Sequence, residues 1–207
     1  MSISEAYNSW SEQYDSNENK TRDLDKIVTT TILSDYSFKT VLELGCGTGK
    51  NTAWLLEKAA RIIGLDFSEG MLEKARQKIS SSKVIFQKAD LKQEWQIQNE
   101  FADLITSSLT LEHIENLNFI FAQVHSKLQN NGILFICELH PFKQYNGTKA
   151  RYETEKGREE LEVYTHHISD YLDAAKQNNL QLIDLKEWFD DAQNNGIPRL
   201  ISFVFRK

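Results

Sequence analysis

The stretch VLELGCGTGKNT, at residues 41–52, holds the residues most suited to chemistry. Glycines stand at positions 45, 47 and 49, Glu43 comes two residues before the first of them, and Lys50 follows the last. Glycine has no Cβ, so such a loop can turn tightly and bring its backbone close to a ligand. Where the loop leads into a helix, the free N–H groups of the helix start favour phosphorylated or nucleotide-like ligands.

Two common glycine-loop templates do not fit this spacing. A phosphate loop, G-x-x-x-x-G-K-[ST], would need a glycine at Leu44 and a hydroxyl at Asn51. A dinucleotide loop, G-x-G-x-x-G, would place Lys50 where the third glycine lets the helix pack on the strand. We therefore interpret Lys50 as an exposed residue at the start of a helix.

A third template, [DE]-x-G-x-G-x-G after a strand, matches in full from Glu43 to Gly49. It is the template of loops that bind S-adenosylmethionine. About 20 residues beyond the first glycine, Asp66 ends the next strand, where an acid can accept hydrogen bonds from ribose hydroxyls. Phe67 beside it offers an aromatic face for an adenine ring.

Further stretches extend the match over most of the chain: GLDFSEGML, KAD, FADLITSSLTLEHIENL, LQNNGILFICEL, YNSWSEQYD near the start and PRLISFVFRK at the end. With these stretches the chain resembles the class I S-adenosylmethionine-dependent methyltransferases that act on small molecules. The glycine loop and the GLDFSEGML stretch are together specific, whereas the other stretches are weak on their own.

The resemblance implies a set of cofactor-binding residues. They are Glu43, Gly45, Gly47, Gly49, Asp66, Phe67, Met71, Asp90, Leu91, Ser107, Tyr14 and Arg22. Asp66 would hold the ribose, Asp90 would face the adenine amino group and Ser107 would lie near the sulfonium. Arg22 is a possible partner of the cofactor carboxylate. Asp90 could instead cap a loop, and Met71 could instead pack in the core.

Methyl transfer from a sulfonium requires alignment of the nucleophile and exclusion of water, and it requires a base only when the acceptor carries a proton. The candidate catalytic residues are His113, which follows the fourth strand, and Glu138 and His140 at the end of the fifth. Alternation along a strand would point Glu138 and His140 to the same side. His113 could instead bind backbone at a helix start.

Aromatic residues near the N-terminus, Tyr7, Trp10 and Tyr14, have helical spacing. Core packing is the simple account of this aromatic face. In proteins of the resembled family, however, the N-terminal helix covers the cofactor, which is why Tyr14 stands among the cofactor residues.

Strand-like and helix-like segments alternate, which predicts an α/β fold with a mostly parallel sheet. The resemblance implies a Rossmann-like, doubly wound sheet of seven strands, with an antiparallel last strand and helices on both faces. The predicted helices are 3–14, 22–36, 50–59, 69–79, 117–129 and 169–177, and the predicted strands are 39–44, 61–68, 83–88, 101–107, 132–139, 180–189 and 199–207. We expect one domain, 1–207, with a helical lid segment at 1–36 and a lid insertion at 139–166.

Composition and local sequence limit the kinds of partner that this protein can bind. The 207 residues carry a formal net charge of −6, which gives no attraction to nucleic acid or to anionic membranes. The fourth strand ends in TSSL rather than the [DN]-P-P-[YF] of many DNA methyltransferases, and no acidic pair follows it to hold magnesium, so we predict no metal. The start of the chain has no apolar signal segment, so a cytoplasmic protein is expected.

The sequence thus predicts an S-adenosylmethionine-dependent methyltransferase that acts on a small-molecule acceptor by in-line transfer, as a monomer or homodimer. Two alternatives stay open. One is a cofactor-binding regulatory or interaction protein without transferase activity. The other is a methyltransferase that acts on protein or RNA.

Overall fold

The computed structural model describes residues 3–11, 14–15, 18–147, 151–154, 157–160, 163–190 and 196–207. The helices are α1 (Ile3–Trp10), α2 (Lys20–Leu33), α3 (Lys50–Lys58), α4 (Glu69–Lys78), α5 (Leu117–Lys127), α6 (Pro141–Tyr145) and α7 (Ile168–Gln177), and a 3-10 turn spans Leu111–His113. The strands are β1 (Thr40–Leu44), β2 (Arg61–Asp66), β3 (Val84–Lys88), β4 (Ala102–Ser108), β5 (Leu128–Leu139), β6 (Arg151–Thr154), β7 (Gly157–Glu160), β8 (Gln181–Trp188) and β9 (Leu200–Arg206).

Seven strands form one sheet in the order β3-β2-β1-β4-β5-β9-β8. The pairs from β3 through β5 are parallel, and β9 runs antiparallel to both of its neighbours. The predicted seven-stranded, Rossmann-like fold with an antiparallel last strand is therefore confirmed. Strands β6 and β7 pair separately as an antiparallel hairpin within the predicted insertion.

The sheet is covered on both faces, which explains its near-continuous apolar strands. One core cluster joins the sheet to α5 and α7 and contains Phe121, Phe203 and Phe205. The other joins it to α2 and α3 and contains Phe135 and Leu55. Parallel strands packed in this way bring their carboxyl ends to one edge, where ligands bind in open α/β sheets.

Several element ends differ from the predicted ones for local reasons. Helix α2 begins two residues early because the side chain of Asn19 accepts hydrogen bonds from the backbone N–H groups of Thr21 and Arg22. Helix α1 ends at Trp10, where the Ser11 hydroxyl bonds the carbonyl of Asn8.

The predicted helix 117–129 is too long and the predicted strand 132–139 too short. Leu128 already pairs with Ala102 of β4, so β5 begins four residues before Gly132. No helix within the described ranges is both long and apolar enough to cross a membrane.

Replacement of Phe135 tests the central core. Phe135 is fully buried on β5, so Phe135→Ala should lower the free energy of unfolding by about 3–5 kcal/mol, through lost burial and a residual cavity. Ile85→Ala on the edge strand β3, where the side chain is 48% exposed, should cost less than about 1 kcal/mol. Urea denaturation measures both, and equal losses would contradict this account of the core.

Candidate functional site

The glycine loop joins β1 to α3 and adopts a backbone that suits glycine. Gly45, Gly47 and Gly49 have φ angles of 66°, 53° and 77°, in the left-handed region. At Gly45 a Cβ would also lie 2.1 Å from Oγ1 of Thr110, in the loop after β4. A Cβ at Gly47 would meet no atom within 4 Å, so the backbone there borders open space.

Asp66, at the end of β2, connects the glycine loop to the next helix. Its Oδ2 accepts a hydrogen bond from the Gly47 N–H, and its Oδ1 accepts one from the Ser68 N–H, both at 2.8 Å. Burial raises the pKa of this carboxyl, and the backbone donors oppose that rise. The backbone N–H of Phe67 is a third donor to this carboxylate, so of its about four lone-pair positions about one stays available for a ligand.

Glu43 is buried beside the loop at the end of β1. Its Oε2 accepts a hydrogen bond from the Thr52 hydroxyl on α3. Burial raises the pKa of Glu43 to about 7, although the Thr52 bond lowers it. This carboxyl can therefore gain or lose a proton near neutral pH.

The interpretation of Lys50 as an exposed residue at a helix start is wrong in one respect, because its side chain is paired. Its Nζ lies 2.8 Å from Oδ2 of Asp25 and donates to the carbonyl of Arg22, also at 2.8 Å. Asn51 Nδ2 donates to the same Asp25 oxygen at 3.1 Å. Lys50 thus ties the start of α3 to α2, and an acid buried on α2 becomes part of the site.

The loop after β4 is held by Glu138 of β5. Oε1 of Glu138 accepts hydrogen bonds from the backbone N–H groups of Thr110 and Leu111, at 3.0 and 2.9 Å. Burial raises the pKa of Glu138 to about 8. The sequence suggested a catalytic role for Glu138, and its visible contacts position the loop that carries His113.

Helix α1 docks against the start of α4. The side chain oxygen of Asn8 accepts hydrogen bonds from the Ser68 hydroxyl at 2.7 Å and from the Gly70 N–H at 3.0 Å. Gly70 permits this approach, since a Cβ there would lie 2.9 Å from the Ser11 hydroxyl. The docked helix places Tyr7 over the site, with its hydroxyl 2.8 Å from Nε2 of His113.

Two adjoining cavities lie between these elements, with about 440 Å³ and 390 Å³ of non-atom space, which includes some bulk solvent at their mouths. They share the wall residues Tyr14, Gly45, Gly47, Ser108 and Leu109. The larger one extends towards Glu43, Asp25 and Lys50. The smaller one extends towards Asp66, Phe67, Met71, Tyr7 and His113.

Eight of the predicted site residues line these two cavities: Glu43, Gly45, Gly47, Asp66, Phe67, Met71, Tyr14 and His113. The other predicted cofactor residues lie outside the cavity walls, and their roles stay predictions. Gly49 forms the N-cap of α3, and Leu91 is buried in the core. Asp90 is exposed, and its Oδ1 accepts a hydrogen bond from the Lys92 N–H at 2.9 Å.

Ser107 and Arg22 also lie behind the cavity walls. Ser107 is buried, and its neighbour Ser108 lines both cavities, because alternate residues of a strand face opposite sides. The guanidinium of Arg22 sits 4.2 Å from the ring centre of Tyr14 and donates to the Tyr14 carbonyl. It thus fixes a residue that the cavities share.

His140 lies apart from the cavities. It is the N-cap of α6, where its Nδ1 accepts a hydrogen bond from the Phe142 N–H at 3.1 Å. Its Nε2 is 3.0 Å from Oε1 of Glu187 on β8. Because β5 ends at Leu139, alternation no longer applies at His140, and Glu138 and His140 contact different partners.

Sequence reasoning missed Tyr7, Asp25, Ser108 and Thr110 as wall residues. The helical spacing of Tyr7 had indicated core packing. The available signal for Asp25 was an aspartate on the apolar side of an amphipathic helix.

Within the part of the chain that the structure describes, no three His, Cys, Asp or Glu side chains come together in a way that could hold a metal ion.

Residues 42–136, which carry the glycine loop, Asp66 and the loop after β4, match the family model described as a methyltransferase domain. The match spans slightly less than half of the 207 residues. The resemblance to class I S-adenosylmethionine-dependent methyltransferases that the motifs predicted is thereby confirmed.

Sequence similarity to known proteins covers more of the chain than the family model does. A Haemophilus influenzae protein of uncharacterised function is 28% identical over 172 residues, 80% of this chain and 64% of that protein. Trans-aconitate 2-methyltransferase of Escherichia coli O1:K1 / APEC is 35% identical over 98 residues, 46% of this chain and 37% of that enzyme. The chain thus spans less than two thirds of the length of either relative.

Among solved structures, an S-adenosylmethionine-dependent methyltransferase from Mesorhizobium loti superposes with a TM-score of 0.73 at 21% identity. The superposition covers 87% of this chain and 96% of that one. It shows that the fold continues beyond the segment matched by the family model.

The raised pKa of Glu138 predicts a pH-dependent stability. A carboxyl that titrates near 4.5 when unfolded and about 8 when folded keeps its proton longer in the folded protein, so stability falls as pH rises between these values. Glu138→Gln keeps the acceptor oxygen for the loop and cannot ionise. Relative to wild type, this variant should therefore gain about 3 kcal/mol between about pH 5 and about pH 8.

Urea denaturation at the two pH values measures this change. Glu57→Gln, at an exposed position on α3, is the matched control and should follow wild type. A Glu138→Gln variant whose stability tracks wild type at both pH values would show that Glu138 titrates normally.

Proposed function

We propose that the chain transfers a methyl group from S-adenosylmethionine to a small-molecule acceptor. The observation that carries this proposal is the pair of adjoining cavities, one bounded by the glycine loop and Glu43, the other by Asp66 and the Tyr7–His113 pair. When bound, S-adenosylmethionine supplies a methyl group already activated on a sulfonium. The protein's own residues then have to hold the cofactor, orient the acceptor and exclude water.

The residues present fit this cofactor. The backbone at Gly47 faces open space that a side chain would fill, as a ligand cradle requires. The hydroxyls of Thr106 and Ser108 are buried on the cavity wall and have no hydrogen-bond partner among the described residues. A polar ligand in the cavity would satisfy these groups, which are otherwise costly to bury.

The charges of the cavity walls also suit this cofactor. Glu43 and Asp25 would face the amino end of the methionine group, and Asp66 would accept hydrogen bonds from the ribose. Phe67 and Met71 provide apolar contacts for the adenine. Ionised acids at these positions would also be favoured by the positive charge of the sulfonium.

The N-terminal segment supports the exclusion of water. Asn8 fixes α1 on α4, and Asp15 receives hydrogen bonds from Thr48 of the glycine loop and Lys78 of α4, both at 2.7 Å. We therefore infer that 1–36 acts as a lid over the cofactor within a single domain, 1–207. The predicted insertion, 139–166, lies partly outside the described residues, and we propose that it covers the acceptor.

A small-molecule acceptor is supported by the related enzyme whose name gives trans-aconitate as its substrate. The net charge of −6 argues against nucleic acid and anionic membranes as partners. We infer a cytoplasmic protein, monomeric or homodimeric, that needs no metal.

Two measurements test the proposal. Isothermal titration calorimetry should show one S-adenosylmethionine or S-adenosylhomocysteine molecule bound per chain. Labelled methyl transfer to phenol, benzylamine, 2-mercaptoethanol or trans-aconitic acid should then identify an acceptor class. Absence of binding of either cofactor form would contradict the proposal. Binding without transfer to any acceptor would favour a regulatory cofactor-binding protein.

Asp66→Asn provides a sharper test of the cofactor site. Loss of a buried carboxylate that accepts hydrogen bonds should weaken S-adenosylhomocysteine binding at least about tenfold. Asp173→Asn, at an exposed position on α7, is the matched control and should bind as wild type does. Calorimetry on both variants decides this, and unchanged affinity in Asp66→Asn would remove Asp66 from the cofactor site.

A further inference from the structure

We propose that Tyr7 and His113 form a proton relay for the methyl acceptor, with the Tyr7 hydroxyl as the group that touches it. This inference rests on the proposed methyl transfer and names the acceptor class: a nucleophile that still carries a proton, either a hydroxyl or a protonated amine. A carboxylic acid, which is already ionised at neutral pH, would need no such relay.

The geometry joins two distant parts of the chain at the cavity wall. Tyr7 belongs to α1 and His113 ends the 3-10 turn after β4, yet the phenol oxygen lies 2.8 Å from Nε2 of the imidazole. Both side chains line the cavity that also contains Asp66, Phe67 and Met71. Proton transfer requires this kind of contact between heavy atoms, at about 2.6–3.2 Å.

Packing holds the two rings in this orientation. The Tyr7 ring stands edge-on to His113 and to Phe67, with ring centres 5.5 and 5.6 Å apart. His113 is buried, and its loop is anchored by the two backbone bonds to Glu138. A preorganised pair of this kind moves a proton with little rearrangement.

The surroundings keep Tyr7 protonated until it is used. Burial is the largest cause that raises the pKa of Tyr7, and the neighbouring acidic groups Tyr14, Glu112, Asp66 and Glu138 raise it further. A neutral phenol can donate its proton to the imidazole nitrogen. The same acidic groups also disfavour an anionic acceptor beside Tyr7.

The relay balances in protons and electrons. A lone pair on a hydroxyl acceptor forms the bond to the methyl carbon while the O–H proton passes to the oxygen of Tyr7, and the methyl–sulfur bond would break with its electron pair left on sulfur. A protonated amine first passes its proton to the oxygen of Tyr7, and the lone pair freed on nitrogen then forms the bond to the methyl carbon. The O–H proton of Tyr7 passes at the same time to the lone pair on Nε2 of His113. The imidazolium that forms later loses a proton to water, which restores the pair.

Nitrogen-15 NMR of the histidines tests the direction of the hydrogen bond without any turnover. In the ligand-free full chain and with S-adenosylhomocysteine bound, the neutral His113 ring should carry its proton on Nδ1, with Nε2 accepting from Tyr7. The Nε2 resonance should move in Tyr7→Phe and stay in place in Tyr36→Phe, a matched loss of a hydroxyl three residues beyond α2. A proton found on Nε2 in wild type would overturn the relay.

Enzyme kinetics test whether the reaction uses the relay. They are measured with the acceptor that the methyl-transfer panel identifies. Tyr7→Phe should lower kcat by about 100-fold or more, as loss of general-base catalysis does, while S-adenosylhomocysteine affinity changes less than about twofold. His113→Gln keeps a hydrogen-bond acceptor for Tyr7 but cannot take its proton, and should show the same loss. Because the two residues act as one unit, the double variant should lose no more than either single variant.

The pH dependence separates a relay from a packing role. The loss in Tyr7→Phe should shrink as pH approaches the acceptor's own pKa, because an ionised acceptor needs no base. A constant loss at all pH values, or a loss of cofactor affinity with unchanged kcat, would show that Tyr7 only closes the lid. If wild type and Tyr7→Phe both fail to bind S-adenosylhomocysteine, the proposed function fails, and the His113 tautomer still decides the direction of the bond.

Discussion

The close approach of two loops at Gly45 is the constraint on which the site depends. The loop after β4 passes so near the glycine loop that any Cβ at Gly45 would overlap the Thr110 side chain. The approach brings together the ends of β1, β4 and β5, because Glu138 of β5 accepts two backbone hydrogen bonds from the same loop. The absence of a side chain at Gly45 therefore allows this close approach of the two loops, and the parallel sheet supplies the rigid base that holds them.

A second layer of contacts ties the N-terminal segment to this base. Asn8 bonds Ser68 at the start of α4, and Asp15 bonds Lys78 of α4 and Thr48 of the glycine loop. The ring of Tyr14 packs against Arg22 of α2, within the N-terminal segment itself. The Asp15–Lys78 pair is exposed on both sides, and exposed ion pairs contribute about 0–1 kcal/mol. Contacts of this strength would let the proposed lid open for cofactor exchange at low energetic cost and still close over the reaction.

The sequence was most informative where a backbone conformation demands a residue type. Left-handed glycines and an acid at a strand end have short-range signatures, so the turn at the glycine loop, the place of Asp66 at the end of a strand and the seven-stranded sheet with an antiparallel last strand could be predicted. Contacts between distant segments have no such signature. The Asp25–Lys50 pair joins α2 to α3, and Tyr7 meets His113 across more than half of the described chain, so spacing rules assigned Lys50 to solvent and Tyr7 to the core. Element ends shifted for a similar reason, as at Leu128, where pairing with β4 overrides helical periodicity.

Three carboxyls with raised pKa values lie in or beside the site. Burial raises the pKa values of Glu43 and Glu112 to about 7 and that of Glu138 to about 8. Burying ionisable groups without cationic partners lowers stability, and such a cost is common where it serves a ligand. A positively charged cofactor would favour the ionised forms, whereas an anionic acceptor would oppose them. The electrostatics of this site therefore point in the same direction as the Tyr7–His113 geometry, towards an acceptor that arrives neutral or cationic and leaves its proton behind.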